Sequence, residues 1–271
     1  MIIDAHTHTY PEKIAARAGE NLGKFYNFRV AEDGTLSTLE KRCSECGIGG
    51  FLLLSVATQA AHVDHINETA AENMHLSRER GFEAYAFGGM HQDYSDFHSG
   101  VERIRSLGLY GIKIHPDLQE VDIDSPKLMP LYEELEKAGL RVFFHAGDCR
   151  PRYNFSAPEK IARICRDFPG LQVVGAHLGG YTEWPESEKS LMGKFDNIWY
   201  DLSQCHKVMA VEKVRYYIEK CGTDRVFFGS DYPAVTPAES LEAFERMGFD
   251  AETYDNIAYR NLRRFLGVAD D

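Results

Sequence analysis

A short apolar, β-rich run returns roughly every thirty residues along this chain, and that recurrence constrains the fold more than any other feature. The eight runs are Ile2–His6, Phe51–Ser55, Glu83–Gly88, Gly111–His115, Arg141–His145, Gln172–His177, Asn197–Leu202 and Arg225–Asp231. Between them, apolar residues recur with helical spacing over Ser37–Cys46, Val63–Arg80, Leu128–Ala138, Pro158–Asp167 and Val211–Lys220, and a last helix is expected over Thr253–Leu266. Gly139 and Gly222 close two of these helices, and Pro126 and Pro158 stand near the starts of two others. Alternating strands and helices imply parallel strands joined by crossovers, and eight such units in 271 residues match a (β/α)8 TIM barrel. A doubly wound sheet would carry a Gly-rich phosphate loop after its first strand, and the stretch AHTHTYPEK after Asp4 is no such loop. With no Pro/Ser-rich linker, a single domain over residues 1–271 is expected. The barrel should be most distorted at its sixth and eighth units. The stretch Tyr181–Lys194 contains Pro185 and reads as a loop with only a short helix.

Composition removes several functions. Lys+Arg total 30 against 42 Asp+Glu, a net charge of −12, whereas nucleic-acid binding needs clustered cations. The longest candidate membrane run, Gly47–Ala57, falls well short of the ~20 apolar residues that a spanning helix requires, so no membrane partner is expected. The opening MIIDAHTH lacks the basic and apolar regions of a secretory signal. Six scattered cysteines suit a reducing, cytoplasmic setting. Cys43 and Cys46 have no second Cys-x-x-Cys to pair with and read as structural thiols.

Several of the runs end in a side chain that can hold a metal: His6 and His8 on the first, His115, His145 and His177 on the fourth to sixth, and Asp231 on the last. In a barrel these ends gather at one mouth. Strand side chains alternate, so His6 and His8 point the same way and can offer two imidazoles to one ion. By the same parity Phe143 and Gly175 should face inward with His145 and His177, and Phe227 and Gly229 with Asp231.

With GIKIHP (Gly111–Pro116), FFHAG (Phe143–Gly147), GAHLGG (Gly175–Gly180) and FGSDYP (Phe228–Pro233), this His-x-His strand resembles the amidohydrolase superfamily. It is most similar to the amidohydrolase-related branch that includes aminocarboxymuconate-semialdehyde decarboxylase and related hydrolases. The resemblance implies that His6, His8, His145 and Asp231 ligate a divalent ion, with His177 beside the bound water as a polarising or proton-transferring group. Such a donor set with an open position suits Zn²⁺, with Mn²⁺ or Fe²⁺ as alternatives. The ion would bring the pKa of water from about 15.7 to roughly 7, and Asp231 would pass the proton to a leaving group. The implied reaction is hydrolysis of an ester, lactone or amide in a small carboxylate-bearing molecule. The alternative is a non-oxidative decarboxylation on the same residues, and an inactive barrel serving as a binding protein is a third reading.

Lys113 shares its parity with His115. Some amidohydrolases carboxylate a fourth-strand lysine to bridge two ions; otherwise Lys113 would be a structural cation paired with an acid such as Asp4. One ion is the preferred reading. TatD-type nucleases also open with His-x-His, and Met90-His91 fits their pattern, but their fourth strand carries a glutamate. Arg150 and Arg152 follow the fifth strand, and either could fork onto a substrate carboxylate or form a surface ion pair. Lys113 and His115 are also placed at the substrate. Tyr10, Trp184, His206 and Tyr232 are expected to shape the wall. Dimerisation through exterior helices is compatible with such a barrel.

Overall fold

The computed structural model describes residues 1–148, 150 and 152–268. Its eight strands form one parallel sheet in sequence order: β1 (Ile3–Thr7), β2 (Gly50–Leu54), β3 (Glu83–Gly89), β4 (Gly111–Ile114), β5 (Arg141–Phe144), β6 (Gln172–Gly175), β7 (Ile198–Asp201) and β8 (Val226–Phe227). The edges then meet. Ala5 donates to the Phe228 carbonyl at 2.9 Å, Asp231 to that of His6 at 2.9 Å, and Thr7 bridges to Tyr232. The result is a nearly closed (β/α)8 barrel.

Alternation along the strands sorts the side chains into two cores. Leu52, Leu54, Phe87, Phe143, Val174, Trp199 and Phe227 fill the barrel interior, while Phe51, Leu53, Val142, Phe144, Val173, Ile198 and Tyr200 face the surrounding helices. Leu262, Phe265 and Leu266 pack into the inner cluster. Phe265 also accepts a hydrogen bond from Arg141 at the start of β5, so this closing segment plugs the end opposite the mouth.

β1 departs from strict alternation. Asp4 pairs with Phe51 but Thr7 with Leu53, so β1 spends one more residue than β2 over that stretch. This bulge changes the parity between Ala5, which faces the inner core, and His6, whose ring meets that of Phe143 inside the barrel at 5.2 Å. Gly175 corrects the expected parity of β6. A Cβ there would meet Ile161 of an outer helix, and it is Val174 that points inward. His177 reaches the interior because it and Leu178 adopt left-handed backbone, at φ 56° and 55°. Gly229 does face inward, where a Cβ would lie 3.0 Å from that of His6.

The anticipated helices occur at Leu36–Cys46, Val63–Glu79, Met129–Ala138, Pro158–Asp167 and Val211–Cys221. The last segment is helical over Ala251–Asp255 and Asn261–Leu266, joined by a π-turn. Trp184–Ser190 is the short helix of the irregular sixth unit. Among the longer helices of the described residues, α1 (Glu12–Tyr26), inserted after β1, and those at Phe97–Ser106 and Pro237–Glu245 were not foreseen, nor were short turns such as Pro116–Gln119 and Cys205–Val208. Among the described residues no helix is long and apolar enough to cross a membrane. Cys43, Cys46, Cys165, Cys205 and Cys221 are free thiols; Cys149 lies outside the described residues.

Candidate metal centre

Three groups from the two joined edges of the sheet converge at the mouth. His6 Nε2 lies 3.1 Å from His8 Nε2, and Asp231 Oδ1 is 3.3 Å from the first and 3.5 Å from the second. The backbone brings them together: Asp231 N donates to the His6 carbonyl and His8 N to that of Tyr232, while Asp231 takes a left-handed φ of 70° that turns its carboxylate inward.

Each imidazole is held from behind. His8 Nδ1 donates to the Leu54 carbonyl at 2.7 Å. His6 Nδ1 faces Asp201 Oδ2 at 3.1 Å and Ser203 Oγ at 2.9 Å. A carbonyl or carboxylate can only accept, so both rings carry their proton on Nδ1 and present a bare lone pair at Nε2. Two lone pairs and a carboxylate oxygen crowded at these distances repel one another, and a cation between them removes the repulsion. Outer hydrogen bonds that fix ring orientation in this way are the usual companions of histidine ligands. The donor set therefore fits a divalent ion on N/N/O chemistry.

Charge follows the same plan. Burial raises the pKa of Asp231, but His6, His8 and His177 outweigh it and hold the carboxyl well below its ordinary range. Asp201 behaves likewise: buried, yet kept ionised by His6 and by Ser203. Burial and the charge of Lys113 pull His6 down to about 4, so it stays neutral. Asp231 Oδ2 accepts a hydrogen bond from the Gln204 amide, leaving Oδ1 to face the histidines.

A second set of imidazoles adjoins the first. His177 Nδ1 donates to the Ser203 carbonyl at 2.9 Å, and its Nε2 lies 3.1 Å from His145 Nδ1. His145 stacks on His115 at 4.2 Å, and its other nitrogen lies 3.4 Å from the Tyr26 hydroxyl, which is 2.8 Å from His115 Nε2. His145 thus sits with His177 and His115, outside the close trio of His6, His8 and Asp231. Burial and neighbouring positive groups hold both His115 and His145 well below the usual imidazole range. His6, His177 and Asp201 form another close group, but Ser203 knits it together by hydrogen bonds, which marks it as support.

Lys113 is fully buried, its ammonium 3.4 Å from His6 Nε2 and 4.3 Å above the Phe143 ring. Among the described residues no carboxylate pairs with it within 4.0 Å, and Asp4 hydrogen-bonds instead to the backbone of His6 and Ser230. Burial brings Lys113 down to about 8. Arg150 donates Nε and Nη2 to Asp148 at 2.8 and 2.7 Å and Nη1 to the Phe25 carbonyl at 2.5 Å, so its fork is engaged by the protein itself. Arg152 turns to the Tyr153 hydroxyl. Trp184 Nε1 donates to the His177 carbonyl and Tyr232 to the Thr35 carbonyl, as structural wall residues do. Tyr10 is pushed up to about 12 by burial and then by the charge of Asp231. His206 has a buried, unpartnered Nε2. His91 accepts from the Asp93 backbone, apart from the trio.

Asp201, Ser203, Gln204, Tyr26 and Asp117 belong to this neighbourhood and escaped the sequence reading. Asp201 was within reach, because it stands next to the end of the seventh run as Asp231 stands at the end of the eighth. Asp117, just beyond β4, is also buried, has no hydrogen-bond partner for either carboxylate oxygen among the described residues, and is raised by burial to about 8; it lies 3.7 Å from His145 Nε2.

The amidohydrolase family model matches residues 3–268. The curated 2-amino-3-carboxymuconate-6-semialdehyde decarboxylase of Dictyostelium discoideum is 27% identical over 216 residues, 63% of this chain and 58% of that protein. This chain thus matches little more than half the length of that relative. The structure of 5-carboxyvanillate decarboxylase from Sphingomonas paucimobilis superposes with a TM-score of 0.71 at 15% identity, covering 99% of each chain. That of a probable 2-pyrone-4,6-dicarboxylic acid hydrolase from Acinetobacter baumannii, with citric acid bound, gives 0.70 at 16%, covering 98% of this chain and 99% of that one. At such identities these two likenesses speak for the barrel alone.

Proposed function

The chain belongs to the amidohydrolase family, and we propose that it is a metal-dependent hydrolase of a small carboxylate-bearing ester, lactone or amide. The observation that carries this reading is the bare-nitrogen pair of His6 and His8 set against the ionised Asp231. His6, His8 and Asp231 would hold the ion, with zinc or manganese suited to the donors, whereas His145, expected as a further ligand, has its nitrogens at His177 and Tyr26 and would have to turn from them to join. A divalent cation there supplies Lewis acidity, polarising a substrate oxygen and making water a stronger acid.

The chain's own groups supply the rest. As the new C–O bond forms and the bond to the leaving group breaks, a proton of the attacking water passes to the leaving oxygen or nitrogen. His177, its Nδ1 proton committed to Ser203, offers Nε2 as an acceptor for a polar substrate group. Lys113 and His115 line the same space.

Decarboxylation is the second reading, favoured by the Dictyostelium discoideum relative. Here the carbon–carbon bond to the carboxylate breaks, carbon dioxide leaves, and a proton goes to the ring or vinyl carbon. Paired assays on unsaturated and aromatic acids and on their lactones separate the two. Acid released from lactones without carbon dioxide supports the hydrolase; carbon dioxide from free acids supports the decarboxylase. No turnover of either kind by metal-loaded protein would leave a binding protein.

Lys113 decides the number of ions. With one, it stays an amine beside His6; carboxylated, it would become a ligand able to hold a second ion. We propose one. Two equivalents per chain, falling on Lys113→Ala, would overturn that.

A further inference from the structure

The proposed centre is largely covered, with the His8 side chain 15% exposed as its most open member. His6, Lys113, Asp117 and His177 are at most 1% exposed, and His115, His145 and Asp231 lie between 6% and 9%. The Tyr26 hydroxyl, at the end of α1, closes on His115 and His145, its ring 6.0 and 6.1 Å from theirs.

The rest of α1 is loosely attached. Ala15 is its one buried residue, Ile14 is 51% exposed, and a groove of about 660 Å³ lined by Ala15, Gly19, Gly23, Phe28 and Val30 runs along its flank. The two ends of the insertion are pinned instead: Tyr10 N donates to Gly34, and the Ala31 and Glu32 amides to the Pro233 carbonyl. Between those anchors, α1 stops at Asn27, whose left-handed φ of 56° lets the chain double back.

Besides the Tyr26 hydroxyl, a cation holds the helix end down. Arg150 donates Nη1 to the Phe25 carbonyl while Asp148 grips its other edge. The guanidinium carbon also lies 4.0, 4.5 and 5.0 Å from the rings of Tyr153, Phe25 and Tyr26. This explains why a cation expected at a substrate is spent on the protein's own backbone and aromatic faces.

We propose that α1 is a gate over the centre, with Tyr26 as the residue that closes it and Arg150, set by Asp148, as its latch. A substrate reaches the histidines when the Arg150–Phe25 and Tyr26–His115 contacts release together. Tyr26 is therefore a positioning residue, placed against the imidazoles between turnovers. The inference builds on the proposed centre but not on which bond is cleaved there.

The test is amide hydrogen exchange by mass spectrometry on the full chain, first after chelation and then loaded with Mn²⁺, for wild type, Arg150→Lys, Asp148→Asn and Tyr26→Phe. Loss of a charge-assisted fastening should raise exchange in residues 12–26 by about tenfold in both latch variants, with β1 and β5 unchanged. Loss of Mn²⁺ to excess EDTA should accelerate by a similar factor in the latch variants and several-fold in Tyr26→Phe. Wild-type exchange in residues 12–26 of a folded latch variant would overturn the gate, as would a rise shared equally by the barrel strands. A chain that binds no Mn²⁺ defeats the proposed function instead, and the gate is then judged on exchange in the chelated protein.

Discussion

His6 meets a carboxylate at each ring nitrogen, and the two do different things. Asp201 accepts the hydrogen bond from Nδ1–H and so fixes the tautomer, while Asp231 faces Nε2 as a companion ligand. Removing Asp201 leaves the ligands in place but frees the ring, so Asp201→Ala should weaken divalent-metal affinity by about 10–100-fold in metal-buffered titrations. Affinity equal to wild type would deny Asp201 that role. Asp117 offers a pH test. Its carboxyl, ordinarily near 3.8, is raised to about 8 by burial, so the native protein keeps a proton that the unfolded chain gives up. The stability this contributes is whole below 3.8 and is lost as pH rises through 8. Asp117→Asn removes that loss, so in chelated protein its melting temperature should gain on wild type between pH 5 and pH 8; a constant difference would count against a protonated Asp117. The sequence displayed His6, His8 and Asp231 openly, because strand-end histidines and a terminal acid stand out. It could not display where Arg150 spends its donors, since Phe25 and Asp148 reach it only through folding.

Burial made most elements legible, although the helix at Pro237–Glu245 buries Leu241, Ala243 and Phe244 and still went unread. The strands and the five anticipated helices carry apolar faces, and most of their limits fall within a residue or two of those read from periodicity. α1 carries two internal glycines and buries Ala15 alone, so it left no such trace. The helix at Phe97–Ser106 includes Gly100, which similarly blurs its pattern. The β1 bulge and the left-handed His177 and Asp231 were also invisible, because they depend on pairing between distant strands. One polar side chain shows how such elements are joined. Asn197 Nδ2 donates to the carbonyls of Cys165, Phe168 and Leu171 at 3.1, 3.0 and 2.9 Å, tying the end of the Pro158–Asp167 helix to the start of β7. Asn197→Ala strands buried carbonyls and should cost about 2 kcal/mol in urea unfolding; a change near zero would mean that water replaces the amide fully.

At the scale of the molecule, closure of the barrel is what makes a site. β1 and β8 are separated by most of the sequence, and only their meeting sets Asp231 beside His6 and His8. An ion bound at that seam links both edges of the sheet, so it should stabilise the native fold by about 2.7 kcal/mol at a free concentration 100 times its Kd. Chelation should lower the melting temperature accordingly, and an unchanged melt would show that no ion is held by the folded state. The most direct measurement is anomalous scattering from crystals grown with Mn²⁺. The account predicts a peak within bonding distance of His6 Nε2, His8 Nε2 and Asp231 Oδ1. Fully loaded crystals with no peak there, or with the metal bound only elsewhere, would contradict it.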